Sequence, residues 1–551
     1  MTIGEILRIV PERFRRKSVL VAISIFFKAL LDFASVAVLV PVLVKLLNDG
    51  ADARSVLPFA FAALCFVIVK GVIVVGLSKF KSSFVYSLYS DLSAQVLENF
   101  LSRGLLFIRS SDSVDLANKV NAVTMSFVSG VVLALLNAMS ALFLLVIMLS
   151  ALLVYDPVST SMVFFIMGPL IFVHVMMQRQ RVKKLGEEEN MAKREQIRSV
   201  LEFFRGYPDY MVNCAEDMQR SRFSRAVGKV GEVRLRLETF SALSSGFMEA
   251  VVVLAVIIIM LMSVSGSWNI SLTFGIFALA AVRLLPAVRS LVGSWQSYKS
   301  SSYSIGILSD IFSEKPQCPV ASEVAGPLEF GHSLELRNVT FGYPDSGKVI
   351  FKNLDMVIKR GEHVGIKGYS GIGKSTLFNL FLGFYTPYEG GLYIDGRKIA
   401  GKDVQRWQRM VGYVPQEVFL TRGTFVENVA FGKEISQVDR EKVRRVLDKV
   451  GLMQWIDTLP DGIDTPLAEA GNSISGGQKQ RIGIARALYK DTSVLFLDEA
   501  TSSVDTDSEN YINDSLKELS EIDGNLTVII IAHRSETLAL CDRVIDLEGL
   551  E

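Results

Sequence analysis

Apolar and polar positions follow two regimes along this chain, and the change comes near residue 315. Before it, long apolar runs recur at roughly Ser18–Leu47, Val56–Leu77, Val123–Val154, Val158–Met177, Phe240–Val264 and Leu272–Leu291. A bilayer core needs about 20 apolar residues in a helix, so the pattern predicts six spanning helices. Beyond the breaker-rich stretch Pro316–Pro327, short β-rich runs alternate with helical periodicity from about Ser333. That alternation predicts an α/β domain with a parallel sheet. The expected fold is therefore multi-domain. An all-α transmembrane domain occupies 1–315, a linker 316–332 and an α/β domain 333–551.

Basic residues orient the first half. They cluster at Arg8–Lys17, at Lys79 and Lys81, in Arg179–Lys184 and along Lys193–Arg236, whereas the turns Tyr155–Pro157 and Gly266–Asn269 carry none. By the positive-inside rule both termini are cytoplasmic. The amino-terminal cations are not a signal peptide, because the apolar run after them is too long and lacks a small-residue cleavage site. The segments Lys79–Ala122 and Gln178–Glu238 are charged, helix-favouring and far longer than a loop needs. Each is read as two spanning helices running on into the cytoplasm, with tips at Arg109–Asn118 and Gly206–Asn213. Inside the spans, Lys28 and Asp32 are spaced to pair on one helix face. Glu249, Lys70, His174 and Arg283 are further ionisable residues in apolar surroundings, with Glu249 and Arg283 candidates for a cavity wall. Pro41, Pro169 and Pro286 can bend their helices.

Composition narrows the classes. Half the residues are hydrophobic and the net charge is only +1, which gives no reason to expect a nucleic-acid partner. The four cysteines, Cys65, Cys214, Cys318 and Cys541, are scattered singly, so neither a disulfide framework nor a zinc site is expected.

The candidate chemistry lies in the second half. Gly368, Tyr369, Ser370, Gly371, Ile372, Gly373, Lys374 and Ser375 satisfy the phosphate-loop pattern, between a strand at His363–Lys367 and a helix opening at Thr376. Such a loop turns backbone N–H groups and a helix start toward phosphate, Lys374 adds a charge, and the Ser375 hydroxyl can ligate Mg2+. Tyr343, just before Pro344, is a candidate platform for adenine. The buried strand Val494–Leu497 ends in Asp498 and Glu499. Asp498 suits Mg2+, and Glu499 suits a general base that polarises water. His533 follows a second apolar strand at the same edge. Ser475 can N-cap a helix opened by Gly476, Gly477 and Gln478, a second anion-binding terminus. One nucleotide does not need two, so this terminus is expected to serve a nucleotide held by another copy.

Taken together these residues resemble an ATP-binding cassette exporter half-transporter over nearly the whole chain. The motifs are the phosphate loop, Gln416 in Val414-Pro-Gln-Glu, the signature Ile474-Ser-Gly-Gly-Gln, Leu497-Asp-Glu-Ala, Ser502-Ser-Val-Asp505 and His533. The resemblance implies a domain-swapped exporter fold of the type IV kind, followed by a phosphate-loop nucleotide-binding domain. It implies that Tyr343 stacks on adenine and that Gly368 to Thr376 hold ATP. It also implies that Gln416 senses Mg2+ and that Ser475 and Gly477 clamp the γ-phosphate across a dimer. Glu499 would be the base and Asp505 would link the two sites; the intracellular tips resemble coupling helices. Two departures stand out: Ile474 replaces the usual Leu, and the chain ends at Glu551, soon after His533, so contacts of the helical tail common in relatives are expected to be missing. In the membrane half, Asp32 followed by Pro41, Met248-Glu249, Arg283-Leu-Leu-Pro286 and the Gly206…Glu216 tip look similar to flippases of lipid-linked oligosaccharides. The expectation is a homodimeric, ATP-driven exporter or flippase of the bacterial inner membrane. The alternatives are one half of a heterodimer, or a peptide or drug exporter.

Overall fold

The computed structural model describes residues 3–48, 53–265, 270–314, 328–344, 347–467, 474–499, 525–532 and 534–549. The chain divides into two compact units, residues 1–101 with 110–315, and residues 102–109 with 316–551.

The first unit is helical: α1 (Ile3–Ile9), α2 (Glu12–Ala37), α3 (Val40–Asn48), α4 (Ala53–Ser102), α5 (Gly104–Ser110), α6 (Ser113–Asn118), α7 (Leu133–Tyr155), α8 (Pro157–Arg205), α9 (Tyr207–Val212), α10 (Glu216–Ser265), α11 (Ile270–Ser300) and α12 (Tyr303–Ser313), with α5 shared between the units. Among the described residues, six segments are long and apolar enough to cross a membrane, and they overlap the six apolar runs. The 49 residues of α8 extend about 74 Å, against roughly 30 Å of hydrocarbon, so much of the helix lies beyond the bilayer core. Its start is encoded locally. Asp156 is buried and accepts a hydrogen bond from the Ser159 amide at 3.1 Å, and Pro157 fills the first turn, where no amide donor is needed. Between α6 and α7 the backbone runs through two π-helical stretches, Lys119–Val123 and Ser126–Val132.

Tertiary packing resolves the intramembrane charges differently from the sequence reading. Asp32 pairs not with Lys28 on its own helix but with Lys70 of α4, at 2.6 Å, and the Lys70 ammonium also donates to Ser35 Oγ at 3.0 Å. Lys70 is buried, so its charge demands a counter-ion that only a neighbouring helix supplies. Glu249 likewise has a cross-helix partner, accepting from Arg289 of α11 at 2.6 Å. His174 sits in a polar network. Its Nε2 lies 3.2 Å from Ser244 Oγ and 3.1 Å from Gln178 Nε2, while Gln296 Nε2 donates to Ser244 Oγ at 2.7 Å and to Gln178 Oε1 at 3.1 Å. These bonds tie α8, α10 and α11 together without an ion pair. Further along α8, where α11 ends, a side chain on Gly186 would meet the Ser300 carbonyl oxygen at 1.8 Å. Only glycine lets α8 approach the α11 backbone this closely.

The second unit holds a five-stranded parallel sheet and a four-stranded antiparallel one. The antiparallel sheet uses β1 (Ser333–Gly342), β2 (Val349–Lys359), β4 (Glu389–Ile394) and β5 (Arg397–Lys398), in the order β2-β1-β4-β5. The parallel sheet runs β11-β3-β10-β9-β6, with β3 (His363–Lys367), β6 (Val411–Val414), β9 (Val494–Asp498), β10 (Thr527–Ile531) and β11 (Arg543–Asp546); β7 (Gly423–Thr424) and β8 (Pro466–Leu467) form a short hairpin apart. Every residue of β9 and β10 is buried, which is why both read as unbroken apolar runs. Helix α13 (Lys374–Phe381) and α14 (Lys402–Met410) cover the main sheet. Val414, Leu495, Leu497, Val528 and Ile530 of the same sheet share a second core with α15 (Phe425–Val429), α16 (Arg440–Lys449), α17 (Met453–Ile456) and α18 (Gly476–Tyr489).

One tip differs from expectation. The short helix after α4 is α5, not a segment within Arg109–Asn118. Gly104, at φ +78°, ends the long helix early, and Asp112 caps α6 through the Val114 amide at 2.9 Å, so Ser113–Asn118 already belongs to the returning helix. Leu105 and Leu106 of α5 pack against the second unit's core. The other expected tip, Gly206–Asn213, holds α9.

Candidate nucleotide site

Register aligns the carboxyl ends of the parallel strands. Ile531 of β10 faces both Ile366 of β3 and Asp498 of β9, and Leu497 faces Val414 of β6. The loop 368–373, the pair Asp498–Glu499 and Gln416 therefore leave the sheet at one edge, where open α/β sheets bind ligands. The loop needs its glycines. Gly371 and Gly373 have φ of +91° and +113°, and a side chain on Gly373 would meet Ile350 at 2.8 Å. Gly373 precedes α13, so the helix start faces the loop. The Lys374 ammonium, almost fully buried, donates to the Gly368 carbonyl at 2.8 Å. Asn379 donates to the Ser375 carbonyl at 2.7 Å and pins the helix behind the Ser375 hydroxyl.

Beside the loop, Tyr343, Tyr369, Gly371 and Ile372 line a cavity of about 490 Å³. Tyr343 meets Phe341 and Tyr385 edge-on, with ring centres 5.6 and 5.9 Å apart, and its hydroxyl lies 2.9 Å from Thr376 Oγ1. The ring is held at the cavity rim by its neighbours.

At the end of β9, the Gln416 side-chain amide donates to Glu499 Oε2 at 2.8 Å. Glu499 adopts φ +49°, a left-handed conformation costly for a side chain, while its amide donates to Ile531 O at 3.0 Å. Backbone strain of this kind collects at functional sites. Burial, then the neighbouring Glu499 carboxylate, pushes Asp498 up to about 6, against the pull of Arg109 and Lys374. Tyr413 beside it is pushed up to about 12 by burial and then by Asp498.

The Asp498 shift sets a pH dependence. A carboxyl whose folded pKa lies above its unfolded value holds its proton more tightly when folded. Its contribution favours folding below about pH 4 and is lost as pH rises through about 6. Without a bound cation, Asp498→Asn should therefore raise thermal stability at pH 7.5, by about 3 kcal/mol at most. The gap should close as pH falls from 6 to 4, measured by thermal unfolding of the purified chain. A gap that stays constant across that range would disprove the assignment.

Sequence reasoning missed Arg109, Tyr385, Tyr413 and Gln480. Arg109, on α5, donates to the Tyr385 hydroxyl at 3.3 Å and acts electrostatically on Tyr413 and Asp498. Gln480 of α18 donates to the Gln416 carbonyl at 2.6 Å. The only hint for Arg109 was its place in an over-long loop. Loss of its charge in Arg109→Ala should cut ATP turnover several-fold and move the acid limb of the pH–rate profile upward, and Arg109→Lys should restore the limb. An unshifted profile would mean that Arg109 only packs.

Ser475 caps α18 in a reciprocal box, its Oγ accepting from the Gln478 amide at 3.2 Å and its own amide donating to Gln478 Oε1 at 2.9 Å. Ser475 and Gly476 are exposed while Gly477 is buried. Among the described residues, no hydrogen bond joins this terminus to the loop 368–376. His533 and Asp505 lie outside the described residues.

Comparison with known proteins agrees with this geometry. Residues 351–502 match the family model described as ABC transporter. The chain is 28% identical over 494 residues to an ATP-dependent lipid A-core flippase of Ralstonia nicotianae, covering 86% of this chain and 81% of that protein. It is 26% identical over 539 residues to an ATP-dependent lipid A-core flippase of Vibrio cholerae, covering 95% and 89%. It is 36% identical over 348 residues to the ABC multidrug transporter mdr2 of Aspergillus fumigatus, covering 61% and 42%. Among solved structures, a bacterial Atm1-family ABC exporter with ATP bound matches with TM-score 0.84 at 22% identity, over 98% of this chain and 95% of that one.

Proposed function

We propose that this chain is an ATP-binding cassette transporter and that two identical copies use ATP to flip or export a lipid-linked or amphipathic substrate across a bacterial inner membrane. The observation that carries the proposal is the junction of Gln416 and Glu499 at the sheet edge that holds the phosphate loop, in a chain with six membrane-length helices. Glu499 takes a proton from the attacking water, and Gln416 orients the carboxylate. Lys374 and the loop amides hold the phosphates, and Tyr343 supports the base.

Oxygen donors suited to Mg2+ are present in the Ser375 hydroxyl, Gln416 and Asp498. Burial beside Glu499 leaves Asp498 a carboxylate that a hard dication would relieve. Held by these groups together with ATP, Mg2+ would supply positive charge that offsets the negative charge of the phosphates.

The second copy is supported by α18. Its exposed, Ser475-capped start is a ready anion site that, among the described residues, makes no hydrogen bond to its own loop, so it suits the nucleotide of a twin. Both termini are assigned to the cytoplasm, following the basic residues. The substrate class rests on the lipid A-core flippases the chain resembles, and on an apolar cavity of about 180 Å³ among the membrane helices, lined by Leu152, Phe164, Met167, Phe277 and Leu284. The test is ATP-driven movement of a fluorescent lipid in proteoliposomes, with differently tagged copies co-purified from one cell. Movement of peptides but not lipids would overturn the substrate class; capture of a different half-transporter would overturn the homodimer.

A further inference from the structure

The segment that carries Gln416 is tied to α18 at several points along one side of that helix. The Gln480 side-chain amide donates to the Gln416 carbonyl at 2.6 Å. Arg486 donates from Nη2 to the Phe419 carbonyl at 3.1 Å and from Nε to the Asn428 carbonyl at 2.9 Å. Between them, a side chain on Gly483 would meet Val418 at 2.8 Å and Val414 at 3.2 Å, so its absence brings helix and segment together. We propose that Gln480 is a positioning residue for ATP hydrolysis: it holds Gln416, and through it the Glu499 carboxylate, in register with the anion-binding start of α18. The inference rests on the two-copy reading above and adds to it a route from one nucleotide to the base that acts on the other.

Gln416 needs an anchor. It is exposed and lies just beyond the end of β6, where connecting backbone is ordinarily more mobile than the sheet it leaves. Its side-chain amide nevertheless sets the direction of one Glu499 oxygen, at 2.8 Å. A bond from a helix to the Gln416 backbone removes freedom that would otherwise spread the carboxylate over several positions. Gln480 is the fifth residue of α18, little more than one turn from the exposed Ser475 and Gly476. A helix bends little over that length, so a shift of its start is carried to Gln416. The path therefore runs from the twin's γ-phosphate, through Ser475 and Gln480, to Gln416 and Glu499. ATP bound in one site steadies the base of the other.

As packing alone, a glutamine is a costly occupant of this position. Gln480 is buried, and among the described residues its Oε1 has no hydrogen-bond partner. A buried acceptor left unpaired destabilises the fold, and an unbranched apolar side chain of similar length would fill the space without one. What the amide adds is a single donated bond, placed on the residue that touches the base. Arg486 and Gly483 hold the same segment further from Glu499, so they fix its course without setting the carboxylate.

The experiment compares the full-length wild type, Gln480→Met, Gln416→Ala and the double variant in one detergent, by steady-state ATP hydrolysis and thermal unfolding. Methionine keeps the length of the side chain and removes both the donor and the unpaired oxygen. Gln480→Met should unfold at or above the wild-type temperature and keep its KM for ATP, because the phosphate loop and Tyr343 are untouched. Its kcat should fall about 10- to 100-fold, the cost of a misplaced group rather than a missing one. Its ATP dependence, sigmoidal in the wild type, should become hyperbolic. In the Gln416→Ala background the same substitution should change kcat by less than about twofold, since the bond to Glu499 is already gone. A kcat within about twofold of the wild type overturns the role. So does an equal loss in both backgrounds, which would place the effect of Gln480 outside the Gln416 link, or a lowered unfolding temperature with KM and kcat both impaired, which would make it packing. A sigmoidal response retained by Gln480→Met overturns the route between sites. Failure of the two-copy reading is separate: light scattering would show a monomer with ATP and the wild type itself would respond hyperbolically, while the kcat loss and its dependence on Gln416 would remain.

Discussion

Glu499→Gln should bind ATP with near-normal affinity and hydrolyse it 10²–10⁴-fold more slowly, the range a positioned general base contributes. By transition-state arithmetic that is roughly 3–5 kcal/mol of lost stabilisation, read in kcat. The substitution isolates basicity from geometry. Gln416 donates to Glu499 Oε2, and a glutamine oxygen at the same place accepts that bond as well as a carboxylate does. The backbone bond from residue 499 to Ile531 O does not depend on the side chain at all. The loop 368–373, Lys374 and Tyr343 are untouched, so nucleotide binding should persist while proton removal from water fails. Steady-state hydrolysis with parallel measurement of ATP binding checks both halves. Turnover within tenfold of the wild type would show that another group takes the proton, and loss of ATP binding would show that the substitution disturbs the phosphate cradle instead.

How much of this site was legible beforehand follows from the range of the interactions. The phosphate loop, the two acids closing β9 and the Ser475 cap are written over spans of a few residues, where backbone chemistry leaves few alternatives. The six spans were legible for a similar reason, since apolar length is a local property. Arg109 was not. Its partners, Tyr385 and Asp498, lie hundreds of residues away, and the turn that aims it depends on Gly104 ending α4 at a place the helix-favouring composition around it does not announce. The tip was consequently expected several residues too late. Intramembrane charges failed in the same way. Spacing offers Asp32 a partner at Lys28, yet burial of Lys70 on the next helix decides the pairing. Sequence spacing can propose a partner on the same helix; it cannot see a competing charge that packing removes from solvent.

That competition sets the second large effect. Lys70→Met should be strongly destabilising, because it leaves the Asp32 carboxylate among apolar helices with its cross-helix partner gone. Removing one member of a buried pair typically costs 3–5 kcal/mol, and apolar surroundings keep the remaining charge from recovering hydration. Asp32→Asn alone should also destabilise, since Lys70 would keep only its bond to Ser35 Oγ. The double variant Asp32→Asn/Lys70→Met should recover most of the loss, because no unpaired charge remains and methionine fills the space of the lysine stem. Thermal unfolding of the four proteins in one detergent forms a double-mutant cycle, and a favourable coupling above about 1 kcal/mol is expected for groups in direct contact. Additive losses would mean that Asp32 and Lys70 act independently and that the 2.6 Å pair does not hold α2 to α4. If the double variant is stable but no longer moves substrate, the pair is retained for transport, and the membrane unit keeps a costly charge where an apolar contact would have held the helices equally well.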